Sequence, residues 1–219
     1  ADRIIEHAER LPEGTPVEVA VNPGLFPPLV DYFEIQGVYI DPTLYMWMQP
    51  EHWRYARQVV EPLADDPKLA FVPTAVKERW VQNRATPRPG YEHVVDFLTQ
   101  YAEAGGKILV SSDARDRAPG PGFTMHVEMQ MMTDMGIPAM NVIQGATLWG
   151  AEALGREQDY GSVEVGKVAD FLIIEGDPLA NIAATRNIQM VIMDGEVVDT
   201  EYDPNWSNPL PRPTTAMEP

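Results

Sequence analysis

At 219 residues and 44% hydrophobic, the chain can bury one large core or two small ones. A formal charge of −17 argues against nucleic acid, because nothing here neutralises phosphates in quantity. With no cysteine, disulfides and thiolate ligands are excluded, so any metal must be held by His, carboxylate or a modified Lys. No apolar run approaches the roughly 20 residues that span a bilayer, and the N-terminus lacks a basic n-region and an h-region. The compartment stays open.

In chain order, Ala1-Asp2-Arg3-Ile4-Ile5-Glu6-His7 begins almost directly with an apolar run, as a chain cut from something longer does. Arg3 to Glu6 suits a buried strand with His7 at its C-terminal tip, and equally a helical start with Ile4, Ile5 and Ala8 on one face. Pro16 to Val21 alternates like a small extra strand. Phe26, Leu29, Val30 and Phe33 stand at helical spacing, with Gly37 as the stop. Val38-Tyr39-Ile40 is a short strand running into Asp41-Pro42-Thr43-Leu44-Tyr45-Met46-Trp47-Met48, where the proline ends pairing and begins a loop.

Glu51 to Leu63 is expected to be helical, residues 64 to 90 to be an irregular insertion with a short helix near Val76 to Val81, and Tyr91 to Glu103 to be a helix with Val94, Val95 and Leu98 on one face. Lys107 to Ala114 then reads as a fully buried parallel strand, its C-terminal end opening into the glycine- and proline-rich 115–122 loop. Asp113 falls at that tip, where α/β barrels keep their chemistry. On local sequence alone a turn or helix-cap role suits it as well. So far the order is strand, helix, strand, helix, strand, with crossovers long enough for parallel units.

Thr124 to Met135 is a Met-rich helix and Pro138 to Leu154 another, stopped by Gly155; Met and Trp149 there suit core packing. Gly161 to Ile174 and Ile188 to Val198 are β runs split by tight turns, and Met193-Asp194-Gly195-Glu196 carries the type I′ hairpin signal. The proline-rich tail 203–219 is expected to lie extended. There is no internal repeat and no phosphate-cradling glycine loop.

Gln144-Gly145-Ala146-Thr147 to Gly155, Gly161-Ser162-Val163-Glu164-Val165-Gly166-Lys167-Val168-Ala169-Asp170-Phe171, Asp177-Pro178-Leu179 and Val191-Ile192-Met193-Asp194-Gly195 together resemble the C-terminal signature of the metal-dependent amidohydrolase superfamily. The similarity is greatest to the branch of imidazolonepropionase-like and Xaa-Pro dipeptidase-like hydrolases, close over the last half of the chain and loose over the first. The resemblance implies an α/β fold: part of a (β/α)8 TIM barrel, strands six to eight with their helices, followed by part of a small β-sandwich. Residues 1–155 would be the barrel portion, 156–202 the sandwich segment and 203–219 the tail.

On the same resemblance, residues 1–7 are similar to the sixth barrel strand, ending in a metal-ligating His7. Val38 to Leu44 is similar to the seventh strand, and Ile108 to Asp113 to the eighth, whose terminal Asp is metal ligand and proton acceptor. Zinc or a similar ion would activate water, and Asp113 would pass its proton to the leaving nitrogen of an amide, dipeptide or cyclic amide. Tyr45 and Trp47 either line the substrate pocket or pack under their loop. His126 and Glu128 resemble a recurring pattern in the first helix after strand eight, His126 orienting or packing rather than ligating.

The chain also departs from the family. Members carry His-x-His after the first strand, a Lys or acidic residue at the fourth and a His at the fifth, and none has a counterpart here. The remaining histidines, His52 and His93, read as surface or capping residues. The resulting expectation is a C-terminal part of a hydrolase, inactive alone, whose partner is the missing barrel half or another copy of the chain. The competing reading is a non-catalytic oligomerisation or binding module.

Overall fold

The structure, a computed structural model, describes residues 4–6, 26–47, 65, 72–82, 90–113 and 122–200. The expected elements at Pro16 to Val21, Glu51 to Leu63 and 203–219 lie outside these residues.

Three short parallel strands organise the first part: β1 (Ile4–Glu6), β2 (Tyr39–Asp41) and β3 (Lys107–Ile108), hydrogen-bonded in the order β1-β2-β3. The first run is therefore a strand and not a helix start. Ile5 stands beside Ile40 and Ile40 beside Ile108, so one β-branched row crosses the sheet, and Glu6 pairs with Asp41 at its C-terminal edge. Helix α1 (Phe26–Gln36) connects β1 to β2, while α2 (Thr74–Gln82) and α3 (Tyr91–Glu103) lie between β2 and β3. Strand order follows chain order at each step, as it does where parallel units wind in one direction.

Apolar spacing on the helices builds the core. Val30 and Phe33 of α1 meet Val94, Phe97, Leu98 and Tyr101 of α3 over Ile40 and Ile108. Phe33 meets Phe97 edge-on, at 6.2 Å between centroids and 89° between planes, and Phe97 stacks on Tyr101 at 6.2 Å; both are geometries the ring quadrupole favours. The Tyr101 hydroxyl donates to the Val38 carbonyl, so a phenol otherwise costly to bury ties α3 to the entry of β2. Burial pushes that phenol up to about 12. Gly106, just after α3, lets the chain turn over this ring: a Cβ there would lie 2.3 Å from Tyr101.

Beyond β3 come α4 (Phe123–Asp134), α5 (Ala139–Gly145) and α6 (Leu148–Ala153). Two expectations are corrected here. Lys107 to Ala114 does not continue as a buried strand: the Leu109 amide still donates to Ile40 O at 2.8 Å, but that of Val110 turns to Gly145 O at 3.3 Å, which draws the chain off the sheet towards α5. The single helix expected from Pro138 to Leu154 is two, broken at Ala146 and Thr147, because the Gly145 carbonyl faces Val110 and leaves the helical ladder.

The last part is an antiparallel sheet of β4 (Phe171–Ile174), β5 (Ile188–Met193) and β6 (Glu196–Val198), with a 3-10 turn at Ile182–Arg186. Asp194 and Gly195 have φ of 51° and 81°, the two left-handed positions of a type I′ hairpin. Residues 161–170 are turns and irregular chain rather than the expected strand. Leu172, Met193 and Val197 are more than half exposed, and Ile173 nearly so. Among the described residues no helix is long and apolar enough to cross a membrane.

Candidate active site

Parallel strands deliver their residues to one edge, and three of those tips form the candidate site. Beyond β1 lies His7, outside the described residues. Asp41 closes β2, and Ser111, Ser112 and Asp113 follow β3. The Ser111 hydroxyl donates to the Asp41 carboxylate, locking two tips together. Ser112 Oγ lies 2.8 Å from Thr124 Oγ1 in the first turn of α4, which fastens the third tip to the helix behind it. Asp113 stands exposed at the end of this chain of contacts, with a φ of 41°.

Backbone strain gathers at this edge. Among the described residues, the non-glycine residues with positive φ are Thr43, Asp113 and Asp194. Asp194 belongs to the hairpin, whereas Thr43 and Asp113 each sit a few residues past the C-terminal end of a parallel strand. A β-branched residue in the left-handed region is held there only by its surroundings. For Thr43, with φ 47° and 2% exposure, the surroundings are visible. Glu128 of α4, fully buried, accepts the amides of Leu44 and Tyr45, each at 2.6 Å, one on each carboxylate oxygen. It thereby caps the 3-10 turn Leu44–Trp47 with a side chain from a distant helix, supplying acceptors for amides that a helix start leaves without partners. Burial pushes the Glu128 carboxyl up to about 8, against the opposing pull of the two amides and with help from Asp41.

The same turn holds two residues expected near substrate. Tyr45 is 4% exposed and belongs to the main apolar cluster, so its ring packs beneath the turn. Trp47 is the last residue of that turn.

His126, two residues before Glu128 on α4, has its Nδ1 3.0 Å from Thr185 Oγ1, a hydroxyl that also lies 2.8 Å from Ile182 O. Burial, and secondarily Arg186, lowers this imidazole's pKa and favours the neutral form. The contact also joins α4 to the turn between β4 and β5, an orienting and packing arrangement.

At the opposite edge, Lys107 pairs with Glu152 of α6, which also accepts the Tyr39 hydroxyl at 3.1 Å. Burial pulls the Lys107 ammonium down, but Glu152 and Tyr39 outweigh it and leave it raised. Burial and then Glu152 raise Tyr39. This cluster lies at the strands' N-terminal ends and bears on stability.

Among the described residues, no three His, Asp or Glu side chains come together in a way that could hold a metal ion. A catalytic zinc takes three protein ligands, so these residues do not fit a complete metal centre. Asp41 and Glu128 are the carboxylates that sequence reasoning did not place at the rim. Asp41 had a signal, since it ends the Val38 to Ile40 apolar run. The contact of Glu128 with Leu44 and Tyr45 spans more than 80 positions and left no local trace.

A family model described as the amidohydrolase family matches residues 64–198. The chain belongs to the amidohydrolase family. Over 84 residues it is 37% identical to an imidazolonepropionase of Pseudomonas fluorescens, a match covering 36% of this chain and 20% of that protein. The crystal structure of a Xaa-Pro dipeptidase with bound methionine superposes with a TM-score of 0.54 at 26% identity, over 82% of this chain and 39% of that one. The structure of molinate hydrolase superposes at 0.55 with 19% identity, covering 87% and 39%, and bears on fold alone. The chain thus spans about two fifths of these neighbours' length.

Proposed function

We propose that this chain contributes the C-terminal portion of a metal-dependent amidohydrolase that cleaves the C–N bond of an amide, dipeptide or cyclic amide. In this reading β1, β2 and β3 are the sixth, seventh and eighth strands of a (β/α)8 barrel, residues 1–155 its barrel portion and 156–202 a β-sandwich segment. The observation that carries it is Asp113, an exposed carboxylate in left-handed backbone a few residues past the C-terminal end of β3, within a family whose members are hydrolases. Asp113 is assigned the proton of the attacking water, which it passes to the leaving nitrogen. His7 and Asp113 are this chain's donors to the divalent ion, zinc in our reading, and protein beyond the described residues supplies the rest. We assign Trp47 to the substrate path, while Tyr45 packs in the core beneath the turn that carries it.

Three strands do not close a barrel and two donors do not complete a metal site, so the chain alone is expected to be inactive. The test is elemental analysis and turnover. The purified chain with zinc should show no hydrolysis of dipeptides or cyclic amides above a metal blank, and activity should appear when the remaining barrel strands are supplied. Zinc held by that assembly should be lost in Asp113→Ala. Zinc-free assemblies with an unchanged association state would favour a non-catalytic binding platform, a reading helped by the exposed apolar residues Leu172, Ile173, Met193 and Val197.

A further inference from the structure

The geometry points to Glu128 as a positioning residue for this site: its buried carboxyl holds the Asp41–Tyr45 turn in its strained form and so sets where Asp41 and the chain after β2 meet a substrate. The inference deepens the reading above and rests on it for the substrate, although the clamp itself stands on geometry. Three observations converge on one turn. Thr43, a β-branched residue, is left-handed and buried. The next two amides both end on Glu128, at 2.6 Å each. Asp41, two residues earlier, is tied by Ser111 to the neighbouring strand tip.

Released from its cap, the turn would lose acceptors for two buried amides and could relax Thr43 to ordinary backbone. Asp41, joined to Thr43 through Pro42, would then shift relative to Ser111 and Asp113. A core methionine or leucine in place of Glu128 would fill the same volume without holding the turn, so packing alone does not account for a carboxyl here. Of the elements packed on α4, the rim turn brings Asp41 towards Glu128, whereas the Ile182–Arg186 turn brings its charge, Arg186, to His126.

The test reads the Leu44 and Tyr45 amides by NMR in the full 219-residue chain from pH 4 to 9. In the unsubstituted protein both resonances should move together with one midpoint near about 8, because they share one carboxyl. Glu128→Gln should abolish that titration and speed hydrogen exchange at these two amides about tenfold, with the rest of α4 unchanged. Flat, unlinked amide profiles in the unsubstituted chain would overturn the proposal even if the variant fails to fold. Exchange that rises uniformly through the core in Glu128→Gln would also overturn it, because that marks an ordinary core residue. A titrating pair in an assembly that never hydrolyses substrate would leave the clamp standing and retire the hydrolase reading instead.

Discussion

Gly145 lies against the backbone of Ile108: a Cβ placed on it would sit 2.2 Å from the Ile108 carbonyl oxygen. The C-terminal end of α5 is thus pressed directly onto the last parallel strand, and only hydrogen fits between them. The obstructing atom is backbone within a paired strand and cannot swing aside. Gly145→Ala is therefore expected to destabilise by ~1–3 kcal/mol or more through overpacking, visible as a lower thermal midpoint. An unchanged midpoint would mean that α5 does not seat on β3.

Tyr101→Phe keeps the stack on Phe97 and removes only the hydroxyl that donates to Val38. The Val38 carbonyl then loses a partner, with an expected cost of ~1 kcal/mol in chemical denaturation. A loss much larger than this would indicate that the ring had moved as well.

Glu128 makes stability depend on pH in a direction opposite to that of an ordinary ion-paired carboxylate. Its folded-state value lies above its unfolded one, so the folded chain holds the proton more tightly. The stabilisation is full below the ordinary carboxylate range of about 4.5 and is lost as pH rises towards about 8. Denaturation midpoints should fall across that window in the unsubstituted protein, and the difference from Glu128→Gln should narrow as pH rises. The variant should cost ~1–3 kcal/mol at the acid end, because one amide then faces an NH2 group.

Lys107→Met is the contrasting case. Its pairing with Glu152 is partly exposed, at 39% and 23% of the two side chains, and such pairs contribute only ~0–1 kcal/mol. Stability should barely change, and the small loss should vanish in high salt.

Much of the fold was legible in the residues. The 3.6-residue spacing of Phe26 to Phe33 and of Val94 to Tyr101, the Asp194-Gly195 turn and the short Val38 to Ile40 run each state a local preference that survived packing, because period and turn chemistry are set by neighbours along the chain whichever distant element then covers them. Failures came where distant backbone intervened: the Pro138 to Leu154 pattern is helical throughout, but the Gly145 carbonyl is diverted to Val110 and the helix breaks.

The candidate site divides along the same line. The ordered C-terminal motifs, and with them the family, were readable along the chain, as was an Asp a few residues past an apolar run. It took the folded arrangement to show that Thr43 is left-handed, that Tyr45 is buried, that Asp41 meets Ser111 and that Glu128 caps a turn more than 80 residues away. Strand and helix periods are set by neighbours along the chain, whereas a buried carboxyl's partners are set by which amides a distant loop leaves unsatisfied, and no short stretch of residues encodes that.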